Sequence, residues 1–317
     1  MTWRRIARDS LDVAVLYGGA SAEREISLLS GLAVAGALEV IGHHVAAFDP
    51  SEVELTGVNW RQFDACFIAL HGGAGEDGRV QTILDSLGVP YTGSGPRASR
   101  LAMSKMMAKE RLLAAGVLTP PAVSLSSRDD LVEMARQVRP LGFPLVIKPD
   151  NQGCSLGVTV AECLDELPDC LAAARRYGSA LLAERFVRGR EMTVAVVDRE
   201  VLPVLEIEHG RELFDFGAKF DSDQDVVVRA ADINDPAVAA AADAALAAAE
   251  TLDTRGLARI DLMVDAQWRP WILEINTVPG MTHRSLAPRA AALAGWEMPE
   301  FCDTLVRACV AAQEVLA

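Results

Sequence analysis

The stretch VAVLYGGASAER, residues 13–24, decides the fold class of the first part of the chain. Its apolar run stops at Gly18-Gly19, which is how a buried strand enters a tight turn. Residues 22–40 then read as a helix, with Glu23 and Glu25 in a first turn where the helix dipole favours negative charge. Working outward, strands are expected at 45–49 and 65–70 and a helix at 79–87, with the glycine-rich HGGAGEDG (71–78) between the last two. Strand–helix alternation with short loops predicts a parallel sheet covered on both faces. Ligands of such sheets sit at the carboxyl ends of the strands, where both glycine loops fall.

The pattern changes near residue 100. A helix is expected over 102–115, ended by Gly116 and Pro120-Pro121. Segment 144–184 reads as strand, glycine loop, strand, helix (164–176) and strand, a small α+β unit. Beyond 190, strands are expected at 191–198, 200–207, 257–265 and 270–276. The irregular stretch 208–231 has the length of a lid or binding loop. The alanine-rich 236–252 reads as a well-packed surface helix. No linker separates these units, so three closely packed domains are expected, at 1–103, 104–188 and 189–317.

At 317 residues the chain can bury a large core without disulfide or metal staples. A net charge of −14 argues against nucleic acid as the main partner. Six cysteines without CxxC spacing argue against a zinc site or disulfide scaffold and favour a reducing, cytoplasmic setting. No membrane-length apolar run and no signal-like N-terminus stands out. Four lysines, Lys105, Lys109, Lys148 and Lys219, stand among 26 arginines. A chain that uses arginine almost everywhere invites the question of what its few compact ammonium groups do.

The strongest chemical signal is GLARIDLMV…WILEINTVPG, residues 256–280. Glu274 and Asn276 share a strand face, and an antiparallel hairpin turning near Asp265–Arg269 would bring Asp261 close to it. Three oxygen ligands there suit a hard cation such as Mg²⁺; the alternative is a solvated polar edge. Lys148 ends the apolar run PLVIK, and Gly153-Cys154-Ser155-Leu156-Gly157 follows, a loop that suits a phosphate or an ordinary hairpin. The loop at Gly18-Gly19 fails the GxGxxG spacing of a dinucleotide site. His71 is either a base or substrate contact, or a satisfied structural histidine.

GGASAEREISLLSG, ALHGGAGEDG, PYTGSG, MSKMMAK, GFPLVIKP, GCSLGV, ARIDLM and LEINTVPGMTHRSL occur in the order and spacing of the D-alanine–D-alanine ligases, members of the ATP-grasp enzymes. The chain resembles that family from about residue 11 to 310. The resemblance implies an α/β and α+β ATP-grasp fold: a parallel-sheet domain plus two α+β domains enclosing ATP. It implies that Lys105, Lys148 and Lys219, with Ser155, meet ATP phosphates, and that Glu184, Arg185 and Val187 with Glu191 hold adenine and ribose. Lys109 matches no phosphate position, so its loss is expected to be nearly silent. Asp261, Glu274 and Asn276 map to ligands of Mg²⁺, two ions by the resemblance, with Mn²⁺ as a substitute. Glu23 resembles the anchor of the first D-alanine's ammonium, with His71 a further substrate contact. Arg259 and Gly280 resemble the oxyanion site, and Ser285 and Leu286 the holders of the second carboxylate. The implied reaction is ATP-dependent joining of two D-alanines through an acyl phosphate, for cell-wall synthesis by a cytoplasmic homodimer. The sequence departs from the family where Cys154 replaces a serine and Phe220 a tyrosine, with Phe214 and Phe216 also at frequent tyrosine positions. This raises D-lactate as an alternative acceptor.

Overall fold

The computed structural model describes residues 10–126, 129–153, 155–209 and 226–316. Cys154, Phe214, Phe216, Lys219 and Phe220, and with them most of the expected lid, lie outside the described residues.

Strand β1 (Asp12–Leu16), helix α1 (Arg24–Val40), strands β2 (His44–Phe48) and β3 (Ala65–Ile68), and helix α2 (Arg79–Leu87) open the chain. The three strands form a parallel sheet in the order β2-β1-β3. Alternation along β1 explains its two buried faces. Val13 and Val15 pack with Val34 and Leu38 of α1, and Ala14 and Leu16 pack with Val80 and Leu84 of α2. Each such fully buried aliphatic contributes about 1.5–3 kcal/mol of transfer free energy.

The helix expected over 102–115 is instead two, α3 (Pro96–Met103) and α4 (Lys105–Ala114). Ser104 breaks it by adopting an extended backbone and accepting the Met107 N–H on its side chain, the geometry of an N-cap. Asp150 completes the junction, accepting from Ser104 Oγ at 2.8 Å and from the Met106 N–H at 2.8 Å. Lys105 thereby becomes the first residue of α4.

A four-stranded antiparallel sheet follows, built from β4 (Ala122–Ser126), β5 (Leu145–Pro149), β6 (Thr159–Ala161) and β7 (Ala180–Arg185) in the order β4-β7-β5-β6. Helices α5 (Leu131–Val138) and α6 (Leu167–Arg175) cover it. The last sheet joins β8 (Arg190–Val197), β9 (Glu200–Val201), β10 (Leu205–His209), β11 (Val226–Ala230), β12 (Leu257–Val264) and β13 (Pro270–Asn276). Its order is β11-β10-β8-β12-β13, with β9 on β8. The strand expected over 200–207 is split between β9 and β10; Pro203 lies in the gap and has no N–H for a ladder. The alanine helix, Pro236–Thr251, buries Ala237, Ala241, Ala245 and Ala248 in the core shared with Met192, Val194 and Ile260.

Two cores cross the expected domain limits. Ala108 and Leu112 of α4 share the core of the last sheet. Helices Leu286–Leu293 and Met298–Leu316 return to the first sheet, where Phe301, Leu305 and Val306 pack with Val13, Val15 and Phe67. Among the described residues no helix is long and apolar enough to cross a membrane.

Candidate functional site

The hairpin β12–β13 is antiparallel, with Asp261 opposite Glu274 and Arg259 opposite Asn276. Alternation along each strand and pairing between them put all four side chains on one face. Asp261 Oδ1 accepts from Thr193 Oγ1 of β8 at 2.6 Å, and Arg259 grips the carboxylate with Nε at 2.9 Å and Nη2 at 2.8 Å. Glu274 Oε2 lies 3.5 Å from Lys105 Nζ, which also donates to Gln152 O at 2.5 Å. Asn276 Oδ1 accepts the Val278 N–H at 3.0 Å.

The facing wall comes from β5 and β7. Val146 pairs with Glu184, so Lys148, two residues on, is a diagonal neighbour of Glu184 on the same face. Lys148 Nζ lies 2.5 Å from Glu184 Oε1, and Lys109 Nζ lies 2.7 Å from Oε2. Burial pushes the Glu184 carboxyl up, and the two ammonium groups more than offset this, holding it below the ordinary range. Lys109, which matches no phosphate position of the resemblance, is buried, and it also donates to Thr119 Oγ1 at 2.7 Å and Pro120 O at 3.2 Å. Burial lowers its pKa to about 8 against the pull of Glu184, so it keeps its proton at neutral pH.

Between the two walls lies a cavity of about 490 Å³. Lys105, Lys148, Ser155, Glu184, Arg185, Val187, Glu191, Asp261 and Glu274 line it, together with apolar Val146, Leu156, Met263 and Leu273. Arg259, Asn276, Glu23, His71, Gly280, Ser285 and Leu286 are not part of that lining.

Those last residues gather at the carboxyl end of the parallel sheet. Glu23, at the N-cap position of α1 and 4% exposed, lies over two glycines. A Cβ on Gly72 would fall 2.8 Å from its Oε1, and one on Gly153 would fall 2.6 Å from it. Gly72 also has φ +66°, a backbone conformation that favours glycine. His71 has both nitrogens engaged: Nδ1 lies 2.8 Å from Val278 O and Nε2 2.8 Å from Ser30 Oγ. The carbonyl requires the proton on Nδ1, so Ser30 donates to Nε2 while accepting the Met281 N–H at 3.1 Å. Burial lowers the His71 pKa to about 4, so the ring is neutral. It ties α1 to the loop carrying Gly280, and the structural alternative for this histidine is the one its contacts match. Ser285 is at the N-cap position of the helix Leu286–Leu293 without a side-chain capping bond, and its Oγ accepts the Thr282 N–H at 3.1 Å; a Cβ on Gly280 would lie 2.7 Å from that oxygen.

The sequence reading missed Glu76. It is 7% exposed, its Oε1 lies 4.0 Å from His71 Nδ1, and that oxygen has no hydrogen-bond partner among the described residues. Burial first, and the negative charge of Glu23 second, push its pKa up to about 8. The signal was a carboxylate inside an otherwise glycine-rich turn at a strand end.

Among the described residues no three acidic, imidazole or thiol groups cluster as a metal site. The donor set nonetheless fits a hard divalent ion: two carboxylates in cross-strand register and an amide oxygen on the same face, with both carboxylates on the cavity wall.

With this geometry in place, a family model for the D-ala D-ala ligase C-terminus matches residues 112–307, and one for the N-terminus matches residues 50–94. The chain belongs to the D-alanine–D-alanine ligase family. It is 42% identical to a D-alanine–D-alanine ligase of Bordetella petrii over 298 residues, covering 93% of this chain and 90% of that one. It is 43% identical to that of Chromohalobacter salexigens, covering 89% of each. The fold matches a Bacillus anthracis D-alanine–D-alanine ligase complexed with ATP, with a TM-score of 0.83 and 28% identity over 97% of this chain and 100% of that one. The ATP-grasp architecture expected of the family is thus the one observed.

Proposed function

We propose that the chain joins two D-alanines at the expense of ATP through a D-alanyl phosphate, giving D-alanyl-D-alanine, ADP and phosphate for cell-wall precursors. The observation that carries this reading is the convergence of Lys105, Lys148, Asp261 and Glu274 on one cavity between two antiparallel sheets. ATP occupies that cavity, its base against Val146, Leu156, Met263 and Leu273 beside the segment Glu184–Val187, its ribose near Glu191. Lys105 and Lys148, with Ser155 and with Lys219 outside the described residues, meet the phosphates as point charges. Asp261, Glu274 and Asn276 would hold Mg²⁺, as one ion or two; when bound it neutralises negative charge on the phosphates.

Glu23 holds the ammonium of the first D-alanine. A carboxylate oxygen of this D-alanine bonds to the γ-phosphorus as the bond to ADP breaks. The second amine, having lost a proton, attacks the carbonyl, and phosphate leaves with the electron pair of the broken C–O bond. Arg259 and the Gly280 backbone take up the developing oxyanion. Ser285 and Leu286, at the start of a helix, hold the second carboxylate. His71 acts here through the loop it holds. The same reading takes the enzyme as a cytoplasmic homodimer. The curated relatives are D-alanine–D-alanine ligases by name, so D-lactate is not the favoured acceptor.

The test is incubation of the full chain with ATP, Mg²⁺ and a panel of D-amino and D-hydroxy acids, read by ADP release and product mass. One ADP per D-alanyl-D-alanine supports the reading. ADP without dipeptide, or depsipeptide alone, rejects it.

A further inference from the structure

Lys109 is absent from the cavity wall, yet it is 3% exposed and 2.7 Å from a carboxylate that forms part of that wall. We propose that Lys109 is a positioning residue for nucleotide binding: it takes up one oxygen of Glu184 so that Lys148, on the other oxygen, keeps cationic charge for the phosphates. The inference rests on ATP occupying this cavity.

Three observations lead there. First, one carboxylate stands between two ammonium groups, so the cluster carries a net positive charge that faces the cavity through Lys148. Without Lys109, Lys148 and Glu184 form a closed neutral pair at 2.5 Å, and a phosphate must compete with a buried carboxylate for the ammonium. Second, Lys109 is fixed from the far side. Thr119 Oγ1 accepts from its Nζ at 2.7 Å and donates to Ile272 O of β13 at 2.7 Å. That couples β7 to the strand that carries Glu274. Third, Lys105 and Lys109 are four residues apart on α4 and share a face. Pairing of Lys109 with Glu184 therefore sets the rotation of the helix whose first residue points Nζ at Glu274. The Lys109 ammonium, with three protons, is shared among Glu184 Oε2 at 2.7 Å, Thr119 Oγ1 and Pro120 O. Neutralisation and placement, rather than one hydrogen bond, are what Lys109 supplies.

The experiment is a double-mutant cycle on the full chain, with ATP and adenosine binding measured by calorimetry in Lys109→Met, Glu184→Gln and the double variant. In the wild-type background, Lys109→Met weakens ATP by about tenfold or more and adenosine by less than about threefold, as expected for coupled neighbours. In the Glu184→Gln background there is no carboxylate left to neutralise, so adding Lys109→Met changes ATP affinity by less than about threefold. Lys109→Arg, which keeps the charge, binds ATP better than Lys109→Met. Equal ATP losses in the two backgrounds, or equal losses for ATP and adenosine, overturn the inference. Should Lys109→Met not fold, the Glu184→Gln pair decides alone: equal affinities support the inference, and a tenfold gap overturns it. A wild-type chain that binds no ATP overturns the proposed function and this inference with it. Tight wild-type binding with uncoupled losses overturns this inference only.

Discussion

Glu184 and Glu76 are both buried acids, 2% and 7% exposed, and their pKa values move in opposite directions. Desolvation is the largest influence on both and favours the neutral form of each. The difference lies in the neighbours. Two lysines flank Glu184 and keep it an anion, whereas the strongest charge acting on Glu76 is the like charge of Glu23. Burial alone thus does not say whether an acid is a fixed charge or a proton store; the sign of the nearest partner does.

The largest effect that would break this contrast is expected at Glu184. Glu184→Ala leaves two ammonium groups buried without their counter-charge, at a cost of about 3–5 kcal/mol. Urea unfolding of the variant measures it. A loss within the scatter of surface substitutions would mean that the lysines find water or turn outward. A smaller effect on stability and a large one on chemistry is expected at Glu274, which is half-buried beside Lys105. Glu274→Gln should slow turnover by roughly 10²–10³, with a melting temperature close to wild type. Wild-type turnover at saturating Mg²⁺ would make this carboxylate structural.

A pH-dependent effect sharpens the other half of the contrast. An acid raised to about 8 in the folded chain and ordinary when unfolded stabilises fully below its unfolded pKa of 4.5. That contribution is lost as pH rises from there through 8. Glu76→Gln does not titrate, so its stability relative to wild type should climb by up to about 1.4 kcal/mol per pH unit in that window and level off above it. Chemical unfolding of both proteins from pH 5 to 9 reads the slope. Parallel curves would show that Glu76 is ionised when folded.

Much of this was legible in the residues. The continuous apolar run VAVLY reads as a buried strand, strand–helix alternation covers it on both faces, and the hairpin that brings Asp261 opposite Glu274 follows from the polar residues in two apolar runs. What stayed hidden depends on contacts between distant segments. Ser104 reads as an ordinary residue of one helix until Asp150 arrives to complete its cap. Lys109 matches no phosphate position in the sequence, and its carboxylate partner is in a strand far along the chain. Glu76 lies within a turn motif whose glycines draw the eye, while its altered acidity comes from Glu23 on another element. Periodicity reports which face is buried; it is silent on which charge waits there. Phe220 and Cys154 lie outside the described residues, so the structure adds nothing to their reading.

The return of helix Met298–Leu316 to the first sheet sets the order in which the molecule can be completed. Phe301, Leu305 and Val306 cover Val13, Val15 and Phe67, so strands made early wait for a helix made much later. Until then α1 covers that face without its partner, and an apolar surface stays open to the surroundings, the condition under which long-range topologies aggregate. The N-terminal unit is therefore first in sequence and late in assembly. A chain halted before Leu286 carries the first glycine loop but lacks the packing that holds its sheet in place.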